Sequence, residues 1–463
     1  MRSVAVDYRF EGGFPTAATV QAAYDAADHA RAVVCYKHFF PAVSGMAIWA
    51  GTQAAGVVPN RVFGTMDTRP GQVGFTLNSD TPYGPVLLDL AVGPLVVTVP
   101  AGPIIGAALN TDQSWISDIG IPGPDHGHGG RHIFLPPGWT GDDPADGFVH
   151  RPVGNRVVVG LRAIPQHRDV DAAITLLRSV QVAPLDEGAE WAEPSWTDLT
   201  GVPQDTTPLA VQGTMGYWEL LQQYIDTEPA HPGDVAYLGE LAAIGIRAGE
   251  PFAPDDRMRG ILAQAAADAD AQLRVQSLAD RRPDRVVWPD RHWEWVTLRP
   301  ENPNFEIDKR TDVDARETWF YQAIATSPVM FRRQAGSGSL YWFISRDGDG
   351  AYLEGGTSYR LRVPLPVPAG LFWSLTVYDA ETRSQIDTPQ GNAALRSLFE
   401  LDGQLAGDHI DLHFGPNAPA DEAPWVQTLP GRGWFAYFRI YGPSEAAFDG
   451  TWKPGDPTAE PAR

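Results

Sequence analysis

Short segments that alternate between apolar and polar residues recur along much of the chain. In residues 371–378 the odd-numbered positions are apolar, while Ser374 and Thr376 share the opposite face, and residues 409–414 alternate in the same way. A period of two residues is typical of β-strands. The pattern therefore predicts half-buried strands in these two segments. Apolar runs between turn residues predict further strands at 95–100, 157–161, 340–345, 359–363 and 434–441.

Apolar residues at helical spacing are concentrated in the middle of the chain. Pro254 precedes the acidic pair Asp255 and Asp256, and apolar residues then recur every three or four positions as far as Leu273. This pattern predicts an amphipathic helix of roughly six turns. Weaker helical patterns predict helices at 16–34, 170–180, 216–225, 235–244 and 314–325.

Strands thus dominate both ends of the chain and helices dominate its middle. We predict an N-terminal β-rich domain with a leading helix at residues 1–168, a mainly helical segment at 169–334 and a C-terminal β domain at 335–463. A length of 463 residues is enough for two or three domains that each bury a core. The predicted fold class is therefore β-rich α+β.

Charge and cysteine content narrow the classes of partner. The chain has 57 acidic and 35 basic side chains, for a net charge of −22. Such a surface repels phosphate backbones and anionic lipids, so we expect neither nucleic-acid nor membrane partners. The single cysteine, Cys35, lies in an apolar string and is expected to be buried without a disulfide. The apolar residues at the N-terminus are interrupted by Asp7 before they reach the length of a signal-peptide core. We therefore expect a cytoplasmic protein.

The segment 78–84 contains an amide, a carboxylate and a phenol within six positions. In an extended chain Asn78 and Asp80 point the same way, about 7 Å apart, close enough to bind one ligand beside Tyr83. The alternative is a turn preset by Pro82, in which these side chains cap their own backbone.

A second group of polar residues follows the apolar stretch 104–109. Asp112, Trp115 and Asp118 lie in it, but six residues of strand would separate the two carboxylates by about 20 Å, too far for a paired acid and base. Asp118 alone, at a strand-to-loop junction, is therefore the better candidate for acid–base chemistry. The alternative is a solvated or capping carboxylate.

Three histidines and an acid, His126, His128, His132 and Asp125, lie within eight residues of a Gly-rich segment. Zinc is bound by three or four such ligands, but a polar surface loop is the favoured interpretation. The sequence has no Walker-type phosphate loop, GxSxG elbow, HExxH helix or CxxC pair, which argues against ATPases, α/β-hydrolases, zincins and thioredoxin-like proteins. We expect no organic cofactor.

Arg439 lies between Tyr437 and Tyr441 on one face of a predicted strand. A guanidinium among aromatic rings can bind an anionic or carbonyl group. The favoured interpretation is a structural group, paired for example with Asp379.

Several ordered motifs are similar to a known family. They include Thr81-Pro82-Tyr83, Gly123-Pro124-Asp125, Phe372-Trp373-Ser374, Tyr378-Asp379, Arg439-Ile440-Tyr441-Gly442-Pro443 and Thr451-Trp452-Lys453-Pro454-Gly455. Spanning nearly the whole chain, they resemble bacterial proteins that pair two domains of unknown function, DUF1254 and DUF1214.

The resemblance implies two β-sandwich, jelly-roll-like domains with a helical segment between them. It also implies an exported location for many relatives, and relatives have lysines where this chain has His126 and His128, which argues further against a metal. Polar or aromatic residues of the family pattern become candidates for the site: Tyr83, Asp118, Asp125, Tyr378, Asp379, Arg383 and Arg439.

The leading hypothesis is an enzyme that acts on a small organic or sugar-like molecule by cofactor-independent hydrolysis or elimination, in a cleft between the β domains. Asp118 would be the general base or acid, Tyr83 a hydrogen-bond donor and Arg439 the group that stabilises negative charge. Substrate-binding candidates are Asn78, Asp80, Asp112, Trp115, Asp125, Tyr378, Asp379 and Arg383. The alternative is a non-catalytic protein that binds carbohydrate through its tryptophans, or assembles with its own copies as a homo-oligomer.

Overall fold

Paired β-sheets at both ends of the chain and a helical layer between them make up the fold. The computed structural model describes residues 8–202, 204–297, 302–336, 338–420 and 422–461. The fold is β-rich α+β, as predicted. The N-terminal elements are β1 (Phe10–Glu11), β2 (Phe14–Pro15), α1 (Ala17–Ala54), β3 (Val62–Thr65), β4 (Gln72–Val73), β5 (Tyr83–Asp89), β6 (Leu95–Val99), β7 (Ile104–Asn110), β8 (Trp115–Gly120), β9 (Gly130–Phe134), β10 (Phe148–His150), β11 (Arg156–Ala163), α2 (Val170–Arg178) and β12 (Gln181–Pro184).

The middle and C-terminal elements follow in chain order. They are β13 (Ser195–Asp198), β14 (Gln204–Asp205), α3 (Met215–Thr227), α4 (Val235–Ala243), α5 (Asp256–Leu278), β15 (Glu294–Trp295), β16 (Glu306–Ile307), β17 (Arg310–Thr311), α6 (Val313–Gln322), α7 (Pro328–Phe331), β18 (Ser339–Ile344), β19 (Tyr359–Pro364), β20 (Ala369–Asp379), β21 (Ala394–Arg396), β22 (His409–Gly415), β23 (Trp425–Gln427), β24 (Trp434–Pro443) and β25 (Thr458–Ala459). All the strands and helices predicted from periodicity are present.

The N-terminal β domain has two four-stranded sheets, in the orders β5-β11-β7-β8 and β10-β9-β6-β12. Both sheets contribute buried residues to one core, among them Val86, Val97, Ile104, Phe134 and Val159. Along β11 buried and partly exposed residues alternate, so its other face is free to line a site.

The C-terminal β domain has a five-stranded sheet, β15-β18-β24-β20-β21, and a four-stranded sheet, β23-β22-β19-β25. Trp342, Trp373 and Phe438 from the first sheet share a core with Leu361 and Leu412 from the second. The opposite face of the five-stranded sheet carries the tyrosines and Arg439, and points away from this core.

The interpretation of β20 as half-buried was wrong. Ser374 and Thr376, on its polar face, are completely buried. Residues 74–80 of the N-terminal part, here called the bridging segment, cover that face, and the Ser374 hydroxyl donates to Asp80 Oδ2 at 2.8 Å. Polar residues on a strand therefore marked an interface between domains, not solvent.

The long helix α1 has 38 residues, so it spans about 57 Å. It packs against α3, α4, α5 and α6 through a core that includes Cys35, Tyr36 and Phe39. The sequence predicted this helix only as far as residue 34. Beyond that point most of its residues are buried on every side as far as Met46, which removes the amphipathic periodicity.

Burial explains the chemistry of Cys35 as well. Its side chain is inaccessible, and burial raises the pKa of the thiol to about 12. It is therefore a core residue, as predicted. No helix in the described part of the chain combines the length and apolar character needed to cross a bilayer.

Candidate functional site

A cavity of about 790 Å³ lies where the two β domains and the α6–β18 segment meet. This volume is within the range of small-molecule sites, about 300–1,000 Å³. Its wall comes from all three parts of the chain. Strands β5, β7, β8 and β11 face β24 across it, and residues within 323–336 and 338–339 close one side.

Most of the lining is apolar. Side chains of this kind include Ile105, Val158, Ile324, Met330 and Leu371. Ile121 is 46% exposed and Leu371 is 66% exposed, and the exposed His126 also lines the cavity. These three residues mark the opening to solvent.

Arg439 lies at the enclosed end of the cavity and is only 4% exposed. Its Nη2 donates to the backbone oxygen of Thr76 at 2.7 Å, while Nη1 is buried with no hydrogen-bond partner among the described residues. The rings of Tyr437, Tyr378 and Tyr341 surround the guanidinium, with centroids 5.0, 5.5 and 5.6 Å from Cζ. A charged donor is thus available at the base of the site.

Tyr83 lines the same cavity from strand β5. Its hydroxyl oxygen accepts from the backbone nitrogen of Asn78 at 3.1 Å and from Nδ2 of the same residue at 2.5 Å. No acceptor for the phenol hydrogen is present among the residues that the structure describes, so it can donate to a ligand. Asn78 Oδ1 accepts from the backbone of Asp80 and Thr81, so Asn78 is both a turn cap and part of the wall.

Asp118 lies on β8 and is 7% exposed. Its Oδ1 is buried without a hydrogen-bond partner within the described ranges. Burial raises the pKa of this carboxyl to about 6, against smaller lowering effects of Ser327, Arg332 and Trp115. Asp118 can therefore change protonation state near neutral pH while facing the cavity.

The structure places Asp118, Tyr83, Arg439 and Asn78 on one cavity. The other substrate-binding candidates do not line it. Asp80 lies on the bridging segment beneath Arg439, Trp115 lies beside Asp118 but outside the lining, and Asp112 Oδ1 accepts from the Ser114 hydroxyl in the β7–β8 turn.

Four further candidates are held by structural contacts. Asp125 Oδ1 accepts from the Gly120 backbone at 2.8 Å, and the Tyr378 hydroxyl donates to the Leu77 backbone oxygen at 2.6 Å. Asp379 pairs with Arg432 at 2.8 Å, not with Arg439, and Arg383 donates to Gln212 at 2.8 Å. These side chains fix turns and join segments that are distant in the chain.

The three histidines do not converge. His126 and His128 are exposed, whereas His132 is buried, with Nδ1 3.1 Å from His150 Nε2 and Nε2 3.5 Å from Asp125 Oδ1. No group of three metal-ligating side chains is found in the described residues. The buried pair His132 and His150 joins neighbouring strands β9 and β10.

We predict that the protein loses stability in mild acid because of this buried histidine pair. Burial lowers the pKa of His132, and burial together with His132 lowers that of His150 from 6.5 to about 4. The unfolded chain therefore binds more protons in this window, so stability that is present above pH 6.5 is lost as the pH falls towards 4. We expect the free energy of unfolding to drop by on the order of 2–3 kcal/mol across the window through this pair.

Urea denaturation at a series of pH values measures this effect. His150→Gln is expected to reduce the slope, whereas His128→Gln, at an exposed position of the same domain, should leave it unchanged. An identical slope in wild type and His150→Gln would show that the buried pair is not responsible.

Sequence reasoning missed Arg162, Tyr341 and Tyr441, which line the enclosed end of the cavity. Arg162 lies one position beyond the predicted strand 157–161, and its Cζ is 5.9 Å from the Tyr83 ring centroid. The available signal was an arginine with apolar residues before it and after it in the chain, because a charged side chain in such a run is rarely buried without a reason.

Comparisons with known proteins agree with this architecture. The model of the protein of unknown function DUF1254 matches residues 61–184, and that of the protein of unknown function DUF1214 matches residues 338–445. The matched segments contribute opposite walls of the cavity. No curated protein matches the chain.

Two crystal structures match nearly the whole chain, and the first of them is similar in fold. The VPA0106 protein from Vibrio parahaemolyticus is 17% identical, with a TM-score of 0.54, and the match covers 93% of this chain and 100% of that one. An uncharacterized protein from Burkholderia cenocepacia is 12% identical, with a TM-score of 0.42, over 96% and 98% of the two chains. On the two family-model matches, at residues 61–184 and 338–445, the chain belongs to the proteins of unknown function that combine a DUF1254 domain with a DUF1214 domain.

Proposed function

We propose that the protein is an enzyme that converts a small, mainly apolar organic molecule by hydrolysis or elimination without an organic cofactor. The observation that carries this proposal is the presence of Asp118, a buried carboxyl with a raised pKa, on the same cavity as the donors Tyr83 and Arg439. Perturbed titratable groups in an enclosed apolar cavity are typical of active sites.

Each of the three groups has a role in this chemistry. As a general base, Asp118 would take a proton either from an attacking water or from a carbon next to a carbonyl group. Arg439 and the Tyr83 phenol would donate to the oxygen on which negative charge develops. In hydrolysis the water oxygen forms the new bond as the leaving group departs, and in elimination the electrons of the broken C–H bond expel the leaving group.

The apolar lining favours an apolar organic molecule over a sugar, because polar partners for several hydroxyl groups are scarce on the walls. The same lining supports the second candidate function, a non-catalytic protein that holds such a molecule. Product formation distinguishes the two, since binding without conversion is the result expected of the second candidate only.

We also propose that each β domain is a jelly-roll-like β-sandwich. In both domains two sheets contribute to one apolar core, which is the layered arrangement of sandwiches. Rigid layers of this kind would hold the cavity wall in a fixed geometry.

An unbiased metabolite screen on purified protein, followed by kinetics on the compound that is converted, tests the proposed enzyme. We expect Asp118→Asn to lower kcat/KM by about a hundredfold, the lower end of general acid–base contributions. If Asp118 is the base, the wild-type rate should rise with pH up to about 6 and then level off, and Asp118→Asn should lose that dependence.

Two variants control for indirect effects. Tyr83→Phe removes only the phenol hydroxyl. We expect it to lower the rate by about tenfold, because one hydrogen bond is worth roughly 1.4 kcal/mol. Asp142→Asn makes the same change as Asp118→Asn at an exposed position of the same domain and should retain full rate. Full activity of both Asp118→Asn and Tyr83→Phe would rule out this site.

A further inference from the structure

Two arginines from different domains face the enclosed end of the cavity. Arg162 lies on β11, where it pairs with Tyr83 and Ile105 in register, and Arg439 lies on β24, opposite Tyr341. Within the described residues neither guanidinium has a carboxylate at ion-pair distance. Arginine side chains stay protonated in proteins, so both groups are charged.

The two guanidinium groups share their neighbours. Tyr341 and Tyr441 interact electrostatically with both Arg162 and Arg439, and so does Asp80. Tyr441 is a hydrogen-bonding neighbour of Arg162, whereas Arg439 Nη1 is buried with no hydrogen-bond partner in the described part of the chain. Guanidinium and phenol donors from both domains therefore surround one region of the cavity.

The charges in this region do not balance. Asp80 is the acid that both arginines share, and its carboxylate is already bonded to Ser374. Arg396 is compensated by Glu400. Three arginines line the cavity, Arg162, Arg439 and Arg332. The carboxyl groups next to them are those of Asp80 and Asp118, so one positive charge is in excess. An uncompensated charge in a protein interior is costly. A ligand with a single negative charge would supply the missing partner.

We propose that the ligand of this cavity is a small amphiphilic monocarboxylic acid, whose carboxylate binds between Arg162 and Arg439 and whose apolar remainder lies along the wall formed by Ile105, Val158, Ile324 and Met330. This inference rests on the proposed function and names its substrate class. With the carboxylate held by Arg162 and Arg439, Tyr83 is the donor that remains for the developing negative charge. A guanidinium N–H forms a strong, charge-assisted hydrogen bond with a carboxylate, and Arg439 offers Nη1 for this bond because its Nη2 already donates to Thr76. A monoanion offsets the excess of one charge, whereas a phosphate dianion would leave a new imbalance.

Calorimetric titration of the intact protein tests this ligand class. The probes are straight-chain monocarboxylates from butanoate to decanoate, with the primary alcohols of equal length as neutral controls and inorganic phosphate as a head group of different charge. We expect each carboxylate to bind at least about 30-fold more tightly than its alcohol, the effect of a desolvated charge pair. Affinity should rise roughly fourfold with each added methylene.

Variants of Arg162 assign the effect to the site. Arg162→Gln is expected to weaken carboxylate binding by at least about 30-fold and to leave alcohol binding unchanged, while Arg162→Lys should retain part of the carboxylate affinity. Arg61→Gln, the same change at an exposed position outside the cavity, should have no effect. Because Arg162 lacks a carboxylate partner, the ligand-free Arg162→Gln variant should melt no lower than wild type, whereas a structural arginine would lower the Tm.

Three results would overturn this inference. They are equal affinity for carboxylates and alcohols, unchanged carboxylate binding by Arg162→Gln, and phosphate binding as tight as that of decanoate. Carboxylate binding that is lost in Arg162→Gln but never followed by conversion would support this ligand class and contradict the proposed enzyme. Turnover of a neutral compound that depends on Asp118, without carboxylate binding, would support the enzyme and contradict the ligand class.

Discussion

Replacing Trp218 with alanine is expected to lower the free energy of unfolding by about 3–5 kcal/mol, the cost of removing a large aromatic side chain from a core. Trp218 lies on α3 and is completely buried. Its ring is edge-on to Tyr217 and Tyr36, at centroid distances of 5.5 and 5.9 Å, and its Nε1 donates to the Leu262 backbone oxygen at 2.9 Å. The variant loses these ring contacts and the side-chain hydrogen bond to α5, and it leaves a cavity in the core.

Urea denaturation followed by far-UV circular dichroism measures this loss. Tyr24→Ala removes an aromatic side chain that is 64% exposed on α1 and should change the free energy of unfolding by less than about 0.5 kcal/mol. A loss below about 1 kcal/mol in Trp218→Ala would contradict the assignment of Trp218 to the core of the helical layer.

Gly45→Ala is expected to destabilise the protein by about 3 kcal/mol, at the upper end of overpacking effects. Gly45 lies within α1, and a Cβ added there would come within 1.6 Å of the Thr111 backbone oxygen and 2.8 Å of its carbonyl carbon. Because both atoms belong to the backbone, neither can rotate away. The helix would have to move away from the β7–β8 turn of the N-terminal domain.

Gly260→Ala is a matched control for this change. Gly260 lies on the exposed side of α5, and a Cβ there meets no atom within 4 Å. The same substitution should therefore stabilise the protein by about 0.5–1 kcal/mol, because alanine favours a helix more than glycine does. Equal effects of the two substitutions on the urea midpoint would mean that helix propensity, not the contact with Thr111, determines the result.

The local pattern of apolar and polar residues was sufficient to predict which segments are strands and which are helices. It did not predict which faces of these elements are buried by other parts of the chain. Period-two segments such as residues 409–414 correspond to strands, because that period follows from strand geometry alone. Pattern failed where an element is surrounded by protein, as in α1 beyond residue 34 and on the polar face of β20. In both cases the partner that buries the residues is distant in sequence.

For the candidate site, the sequence indicated which residues carry suitable chemistry but not which of them face the cavity. Asp118, Tyr83 and Arg439 could be selected because their side chains carry the chemistry of proton transfer and charge stabilisation, and the fold brings them to one cavity. Asp112 and Asp379 carry the same chemistry but cap turns. Local sequence does not distinguish a carboxylate that accepts from its own backbone from one that faces a cavity across a domain boundary.

The bridging segment ties the two β domains together. The Gly74 nitrogen donates to the Ser384 hydroxyl at 3.1 Å, and the Thr76 nitrogen donates to the Arg383 backbone oxygen at 2.9 Å. A hinge motion that parted the β domains would break these bonds together with those from Tyr378 and Arg439. We therefore expect a ligand of the proposed kind to enter and leave through rearrangement of exposed lining side chains, such as Leu371 and Ile121, without separation of the domains.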